Sequence, residues 1–399
     1  MSTTMKIVIS GYTYTRQNLF EVFESYPEKE NLFFILPSNW TAKNGQVKFK
    51  PFKKTGFTIY HSPAYFSHSQ YPFIGGLLKG WMPFFVFRLI WLRITQGVDI
   101  LFTTGEPNLL ATLYNAFWAK ALGIKHVFHF WENIAYEDKD VGLKRVIKKL
   151  IIKATLALSD GAICGMKKAE NILKSFNSDI VIGTFLHAGF NVERFRPDLN
   201  HEEVTNQYGL AGKKIFLFVG ALGQRKGIHV ALKALAEIKK KESIRLLIVG
   251  SGEYKPELER MVKDLSLEEE VIFIPWIENE KLPALYNAAD VFIYPSIPFE
   301  GWEEQFGYSI AEASLSGLPV ISTYTGSIDE VLVDGQTGIM VPPNDIQALT
   351  LAMSECIEYP EKAKQFGRRG REFIKDNFSN SIIANKMFQL FKNVISRQQ

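Results

Sequence analysis

Two glutamates, Glu304 and Glu312, stand with seven residues between them in the segment EEQFGYSIAEA, residues 303–313. The segment follows the apolar run DVFIYPS at 290–296, which reads as a strand. A helix beginning near Gly307 would put Glu304 in the loop before it and Glu312 in its second turn. The backbone N–H groups of Phe306, Gly307 and Tyr308 would then gather at a helix N-terminus, a place that attracts anions. Gly307 would let the backbone approach a ligand closely. Glu312 could accept hydrogen bonds from a pair of vicinal hydroxyls, as on a ribose. The same spacing also fits a plain loop charge followed by an early-helix carboxylate.

A second segment, FVGALGQRKG at 218–227, runs from a buried strand ending at Gly220 through a short loop to a helix expected to begin at Gly227. Arg225 and Lys226 stand at the mouth of that helix, where cations oppose the dipole unless an anion is also present. A diphosphate fits, with Lys226 as a point charge and Gly220 giving close backbone approach. A solvated basic turn fits as well. The segment VGSGEYKPEL at 249–258 begins like a dinucleotide fingerprint, but Lys255 stands where a third glycine would, so a nicotinamide site is disfavoured. In GSIDEVLVDGQTGIMVPP at 326–343, Gly326 follows a strand and precedes a short helix, and the remaining glycines mark tight turns. In the first half, His129 closes the strand HVFHF, with Trp131 and Glu132 behind it. It could hydrogen-bond a sugar or a phosphate, or be structural. The DKD string at 138–140 sits in a charged run and reads as a solvated loop, not a metal site.

These residues need strands that end at a common edge. Short apolar runs alternate with helical patterns through most of the chain, the mark of βαβ units and parallel sheets. KIVIS (6–10), LFFIL (32–36), DILFTT (99–104), HVFHF (126–130) and GAICG (161–165) read as buried strands of one half. KIFLFVG (214–220), RLLIVG (245–250), VIFIP (271–275), DVFIYPS and PVIST (319–323) read as those of the other. The expected divisions are an N-terminal domain at 1–188, a linker at 189–212, a second domain at 213–378 and a terminal helix at 379–399. In such α/β sheets ligands lie beyond the C-terminal ends of the strands.

Bulk properties are those of a globular chain: 399 residues, 46% hydrophobic and 22% charged. That is enough for two domains with large cores. Two distant cysteines, Cys164 and Cys356, form neither a zinc pattern nor a disulfide framework and fit a reducing compartment. The first residues, MSTTMKIVIS, lack a long apolar core with a cleavage site, so a cytoplasmic location is expected. A net charge of +4 is too small to argue for nucleic acid.

Taken together and in order, strand-VG…KG-helix, VGSGE, NAADVFIYPS, the glutamate pair enclosing FG, SGLPVIST and DGQTGIMVPP resemble the retaining glycosyltransferases of family 4, which have the GT-B fold. The likeness is dense from about 187 to 397 and thinner from 5 to 186. It implies two facing Rossmann-like parallel-sheet domains with a deep interdomain cleft. The second domain would bind a nucleoside-diphosphate sugar and the first an acceptor, a saccharide or a lipid-linked saccharide. The last helix would cross back to the first domain. By that resemblance Lys226 would bind the donor diphosphate, and Glu312 would hold the ribose. Glu304, with the backbone of Phe306, Gly307, Tyr308 and Ser309, would face the transferred sugar. His129 would lie near the sugar and the leaving phosphate, and Pro275, Trp276 and Ile277 would border the base. The resemblance implies retention of configuration, no metal and no cofactor beyond the donor itself. Some positions depart from the pattern. Ala221 stands where an arginine is usual, leaving Arg225 as its candidate replacement, and GYTYTRQN (11–18) has a single glycine where the pattern often has two. Asn191 replaces a common aspartate, and Trp276 stands among usually small residues. A non-catalytic nucleotide-sugar-binding scaffold subunit and a nucleotide-sugar epimerase are the competing classes, though an epimerase lacks the spaced glutamate pair.

Two stretches point to peripheral membrane contact. Residues 74–94 are aromatic and apolar but broken by Pro83 and by Lys79, Arg88 and Arg93, against a spanning helix. Residues 142–158 form a basic amphipathic pattern, which fits a helix lying on anionic lipid or a core helix with a charged outer face.

Overall fold

The structure is a computed structural model that describes residues 4–40, 56–67, 74–135, 142–238 and 243–397. The DKD string lies outside the described residues. The chain divides into two compact units, Met1–Gly189 with Asn380–Gln399, and Phe190–Ser379.

The first unit is built on a parallel sheet of seven strands: β1 (Ile7–Ser10), β2 (Leu32–Pro37), β3 (Thr58–Ser62), β4 (Ile100–Thr103), β5 (Lys125–Phe130), β6 (Gly161–Cys164) and β7 (Val181–Thr184). Their order is β3-β2-β1-β4-β5-β6-β7. The second unit holds six parallel strands: β8 (Lys214–Val219), β9 (Ile244–Val249), β10 (Val271–Ile274), β11 (Val291–Tyr294), β12 (Val320–Thr323) and β13 (Gly338–Val341). Their order is β10-β9-β8-β11-β12-β13. Each is a Rossmann-like sheet whose strand order reverses once, between β1 and β4 in the first and between β8 and β11 in the second. The central strands read as continuous apolar runs because helices cover both faces of a parallel sheet.

Three strands escape the sequence pattern. β3 and β7 are edge strands of mostly half-buried and exposed residues, and β13 is an edge strand opening on a glycine inside a turn-rich stretch. None carries a long apolar run to betray it.

The described α-helices of seven residues or more are α1 (Phe85–Gln96), α2 (Leu110–Ala121), α3 (Gly142–Leu158), α4 (Lys167–Lys174), α5 (Ile228–Ile238), α6 (Lys255–Asp264), α7 (Leu282–Ala288), α8 (Tyr308–Leu315), α9 (Ile346–Glu358), α10 (Pro360–Phe378) and α11 (Asn380–Ser396). Strand register fixes which of them share a face. Val8 pairs with Leu101, Leu101 with His126, and Phe128 with Ala162, so these residues point to one side of the first sheet. Val8 and Leu101 belong to one core cluster with Phe85, Leu89 and Leu92 of α1 and Ala119 of α2. Phe128 and Ala162 belong to another with Ile152 and Leu156 of α3. Helices α1, α2 and α3 therefore cover the same face. The opposite face holds α11, whose Phe391 packs against Phe102 of β4. Fully burying such side chains contributes about 1.5–3 kcal/mol each.

Candidate functional site

In the second unit the strand order reverses between β8 and β11, and the loops that leave these two strands hold the principal cluster. After β8 the chain makes one 3-10 turn, Gln224–Lys226, closed by Gly227 with φ +65°. The helix begins only at Ile228, one residue after the expected start, because Gly227 has left-handed backbone. A side chain could not stand there: its Cβ would lie 1.8 Å from the Pro295 carbonyl oxygen. Backbone bonding ties the two loops together, since Ile297 N–H donates to the Arg225 carbonyl over 2.9 Å.

This packing buries Lys226 and Glu304, exposed only 6% and 7%, and joins them. The Lys226 Nζ donates to Glu304 Oε2 and to the Tyr294 hydroxyl. Glu304 Oε2 also accepts from the Tyr294 hydroxyl at 2.9 Å and the Ser296 hydroxyl at 3.3 Å. Neither charge is a solvated loop residue. Burial holds the lysine below its usual range, while the Glu304 carboxylate acts in the opposite sense. The Tyr294 hydroxyl is pushed well up, first by burial and then by Glu304. The loop after β12 fixes the backbone of Glu304: Ser327 N–H donates to its carbonyl at 3.0 Å, and Gly326 leaves room for that carbonyl.

Trp302 shields the cation side. The Arg225 guanidinium lies 3.7 Å from its ring centroid and the Lys226 ammonium 5.3 Å. Arg225 Nη1 is buried without a hydrogen-bond partner among the described residues. Gly220 follows β8, and its neighbour Ala221 is exposed.

Helix α8 begins at Tyr308, with Gly307 as its N-cap at φ +80°. Phe306 is buried against Phe190, Tyr308 and Phe378, which anchors the approach to this helix. Glu312 falls in the second turn but outside the lysine cluster, accepting from the Tyr286 hydroxyl at 2.9 Å. Burial raises its carboxyl to about 7, against the smaller opposing effects of Tyr286 and Arg194. Pro275, Trp276 and Ile277 follow β10, and Trp276 is 65% exposed. The glycines of VGSGE let the loop after β9 pack on the loop after β8: Leu222 N–H donates to the Ser251 carbonyl, and a Cβ on Gly252 would lie 2.3 Å from the Leu222 carbonyl oxygen.

His129 belongs to the first unit. It is buried in β5, with Nε2 3.1 Å from Nδ1 of His187 and its ring 5.4 Å from Trp131. Burial, and secondarily His187, hold it well below the usual imidazole range. His187 is itself lowered to about 4 by burial. The Glu106 carboxylate accepts from the Trp131 N–H at 2.9 Å, and the Tyr14 hydroxyl donates to the His187 carbonyl at 2.6 Å.

Sequence reasoning missed Tyr294, Ser296, Trp302, Tyr286, His187 and Glu106. Tyr294 was legible as a hydroxyl-bearing residue at the very end of a buried strand. Ser296, Trp302 and Glu106 carried one available signal, a position in a loop after a central strand. His187 stood two residues before the expected linker, at the end of the expected N-terminal domain, with no local signal to mark it. No group of three or more His, Cys, Asp or Glu placed to hold a metal occurs among the described residues.

The twin Rossmann-like sheets, each with a single reversal of strand order, define a GT-B fold. HepE of Anabaena in complex with UDP superposes with a TM-score of 0.73 at 16% identity, covering 98% of this chain and 100% of that one. Residues 200–373 match the family described as glycosyl transferases group 1. The GDP-mannose-dependent alpha-(1-6)-phosphatidylinositol monomannoside mannosyltransferase of Mycolicibacterium smegmatis is 33% identical over 201 residues, 48% of this chain and 52% of that protein. The chain thus spans about half the length of that relative. An uncharacterized glycosyltransferase of Methanocaldococcus jannaschii is 24% identical over 93% of this chain and 92% of its own length.

Proposed function

We propose that this protein is a retaining, metal-independent hexosyltransferase of the GT4 type. It would move a sugar from a nucleoside-diphosphate sugar to a saccharide or lipid-linked saccharide acceptor in the synthesis of cell-surface polysaccharide or glycolipid. The observation that carries the reading is the buried Lys226–Glu304 pair at the strand-order reversal between β8 and β11. That is where an open parallel sheet binds ligands, and a buried cation there suits a polyanion. The match of residues 200–373 to glycosyl transferases group 1, and relatives whose names specify sugar transfer, support the same activity.

In the proposed reaction the bond between the anomeric carbon and the β-phosphate oxygen breaks, and its electron pair stays on the phosphate. Lys226, with the helix N-terminus at Gly307, stabilises that charge from fixed positions. The sugar passes through an oxocarbenium-like state. The acceptor hydroxyl attacks from the face the phosphate leaves, its proton passes to the departing phosphate, and configuration is retained. Glu304 releases Lys226 to the diphosphate and faces the sugar, while Glu312 receives the ribose hydroxyls. Gly220 and the backbone from Phe306 to Ser309 line the donor, and Pro275, Trp276 and Ile277 border its base. His129 serves the acceptor-side unit. Arg225, beside Lys226, supplies the second cation that Ala221 does not.

Ala221 is also the observation that favours a rival, a donor-binding subunit without catalysis. Purified protein with a panel of nucleotide sugars separates the two by transfer or donor hydrolysis. Glu304→Ala and Lys226→Ala should each abolish turnover in a folded protein. Wild-type turnover in either variant removes the assignment, and binding without turnover in the native chain favours the rival.

A further inference from the structure

Helices α1, α2 and α3 cover one face of the first sheet, and their outer surface is unlike the rest of the molecule. Adjacent helices are joined by direct contacts. The Tyr114 hydroxyl of α2 donates to the Pro83 carbonyl just before α1 at 2.9 Å, and Phe85 meets Tyr114 at 5.8 Å. The Thr155 hydroxyl of α3 donates to the Pro107 carbonyl just before α2 at 3.0 Å.

Of the fifteen large hydrophobic side chains exposed among the described residues, eight lie on these helices or at the N-cap of α1. Phe84, Phe87, Trp91 and Ile94 recur at helical spacing on α1, exposed 53%, 69%, 43% and 77%. On α3 the outer stripe is Leu143, Val146 and Leu150, all more than half exposed. Scattered single exposures are ordinary, but a concentration of this size marks an interaction surface.

The charge carried by these three helices is one-sided. The three helices carry eight Lys and Arg residues and no Asp or Glu, in a chain whose totals are 46 basic and 42 acidic. On α3, Arg145, Lys149 and Lys153 recur every fourth residue, a row that flanks the apolar stripe. An apolar stripe bordered by cations, on a helix that does not cross a bilayer, is the pattern of an element lying in the plane of a membrane interface. Among the described residues no helix is long and apolar enough to span one.

We infer that this three-helix face of the first unit binds the surface of an anionic lipid bilayer, seating its aromatic and aliphatic side chains at the headgroup boundary with the basic row against lipid phosphates. A polyanion such as nucleic acid would use the cations but leave the apolar stripe in water, and an apolar partner would not explain why these three helices carry cations and no carboxylates. The inference is independent of the donor site and deepens the proposed function, since it would hold the acceptor-side unit where lipid-linked saccharides reside.

The test is flotation of the full chain with phosphatidylcholine vesicles, with and without phosphatidylglycerol, and with soluble heparin as a second probe. Two variant pairs on exposed or half-buried positions divide the contributions, Arg145→Glu with Lys153→Glu, and Phe87→Ser with Leu150→Ser. Binding should require the anionic lipid, fall by about tenfold or more with the charge pair at low salt, and fall with the apolar pair even where salt already screens the charges. Each pair keeps the test decisive if the other fails to fold, and the melting shift produced by nucleoside diphosphates checks folding in both. Absence of binding to anionic vesicles, equal binding to neutral ones, binding indifferent to both pairs, or binding to heparin alone would each overturn the inference. None of those outcomes touches the donor site, whose own test is nucleotide binding.

Discussion

Replacing Glu304 by Gln should destabilise the protein more than replacing Lys226 by Met, although the two changes remove the same ion pair. The asymmetry follows from what each partner keeps. Without Lys226, the Glu304 carboxylate retains the Tyr294 and Ser296 hydroxyls as donors. The expected cost is then that of a weakened buried hydrogen-bond network, about 1–3 kcal/mol. Without the Glu304 charge, the Lys226 ammonium stays 6% exposed beside Arg225, with a neutral amide, a phenol and the Trp302 ring. Leaving one charge of a buried pair uncompensated costs about 3–5 kcal/mol, and in a unit of this size each kcal/mol lowers the melting temperature by about 2–4 °C. Differential scanning fluorimetry should therefore place Glu304→Gln about 6–20 °C below the native protein and Lys226→Met nearer to it. A nucleoside diphosphate restores the missing counter-charge, so it should raise the melting point of Glu304→Gln by more than that of the native chain. Equal melting of the two variants, or a smaller nucleotide effect in Glu304→Gln, would show that no uncompensated cation is buried there and would defeat the reasoning.

Other consequences are open to measurement. Because Glu312 has its carboxyl raised to about 7 in the folded state, its contribution is full at low pH and is lost as pH rises toward 7; chemical denaturation should show a decline of about 3 kcal/mol between the ordinary glutamate range and pH 7, absent in Glu312→Gln. His129 and His187 have the opposite linkage: both are lowered by burial, so stability is present above about pH 6.5 and falls as acid protonates the unfolded chain. The His187 ring, followed by nuclear magnetic resonance, should titrate near 4 and not near 6.5. Gly227→Ala should cost at least about 2 kcal/mol in urea melts, since a Cβ there meets the Pro295 carbonyl oxygen at 1.8 Å in left-handed backbone.

The central strands were readable because burial on both faces leaves them continuously apolar, as in KIFLFV and VFIY. The fold class followed from their alternation with helices. β3 and β7 were not readable for the converse reason, being edge strands of mostly half-buried and exposed residues, while β13, though mostly buried, opens on a glycine inside a turn-rich stretch. Lys226 and Glu304 were legible as residues in loops leaving strands, and as members of a family pattern. Their union was not, because 78 positions separate them and only the sheet order, with β8 beside β11, sets the two loops side by side. Glu312 was expected in the second turn and stands there, yet its raised carboxyl comes from burial, partly offset by Tyr286, and no local spacing encodes either. The one-residue error at Gly227 has a local cause: a 3-10 turn and an α-helix both begin with helical residues, and only the crowding at Pro295 selects left-handed glycine between them.

The claim on which the account rests is that Lys226 receives a pyrophosphate at the strand-order reversal. A crystal structure with a bound nucleoside diphosphate tests it most directly. The account predicts a phosphate oxygen within about 3.2 Å of the Lys226 Nζ, the pyrophosphate facing the N-terminus at Gly307, and the Glu304 carboxylate no longer the sole anion on the lysine. A nucleotide bound elsewhere, with Lys226 still closed on Glu304, would contradict it.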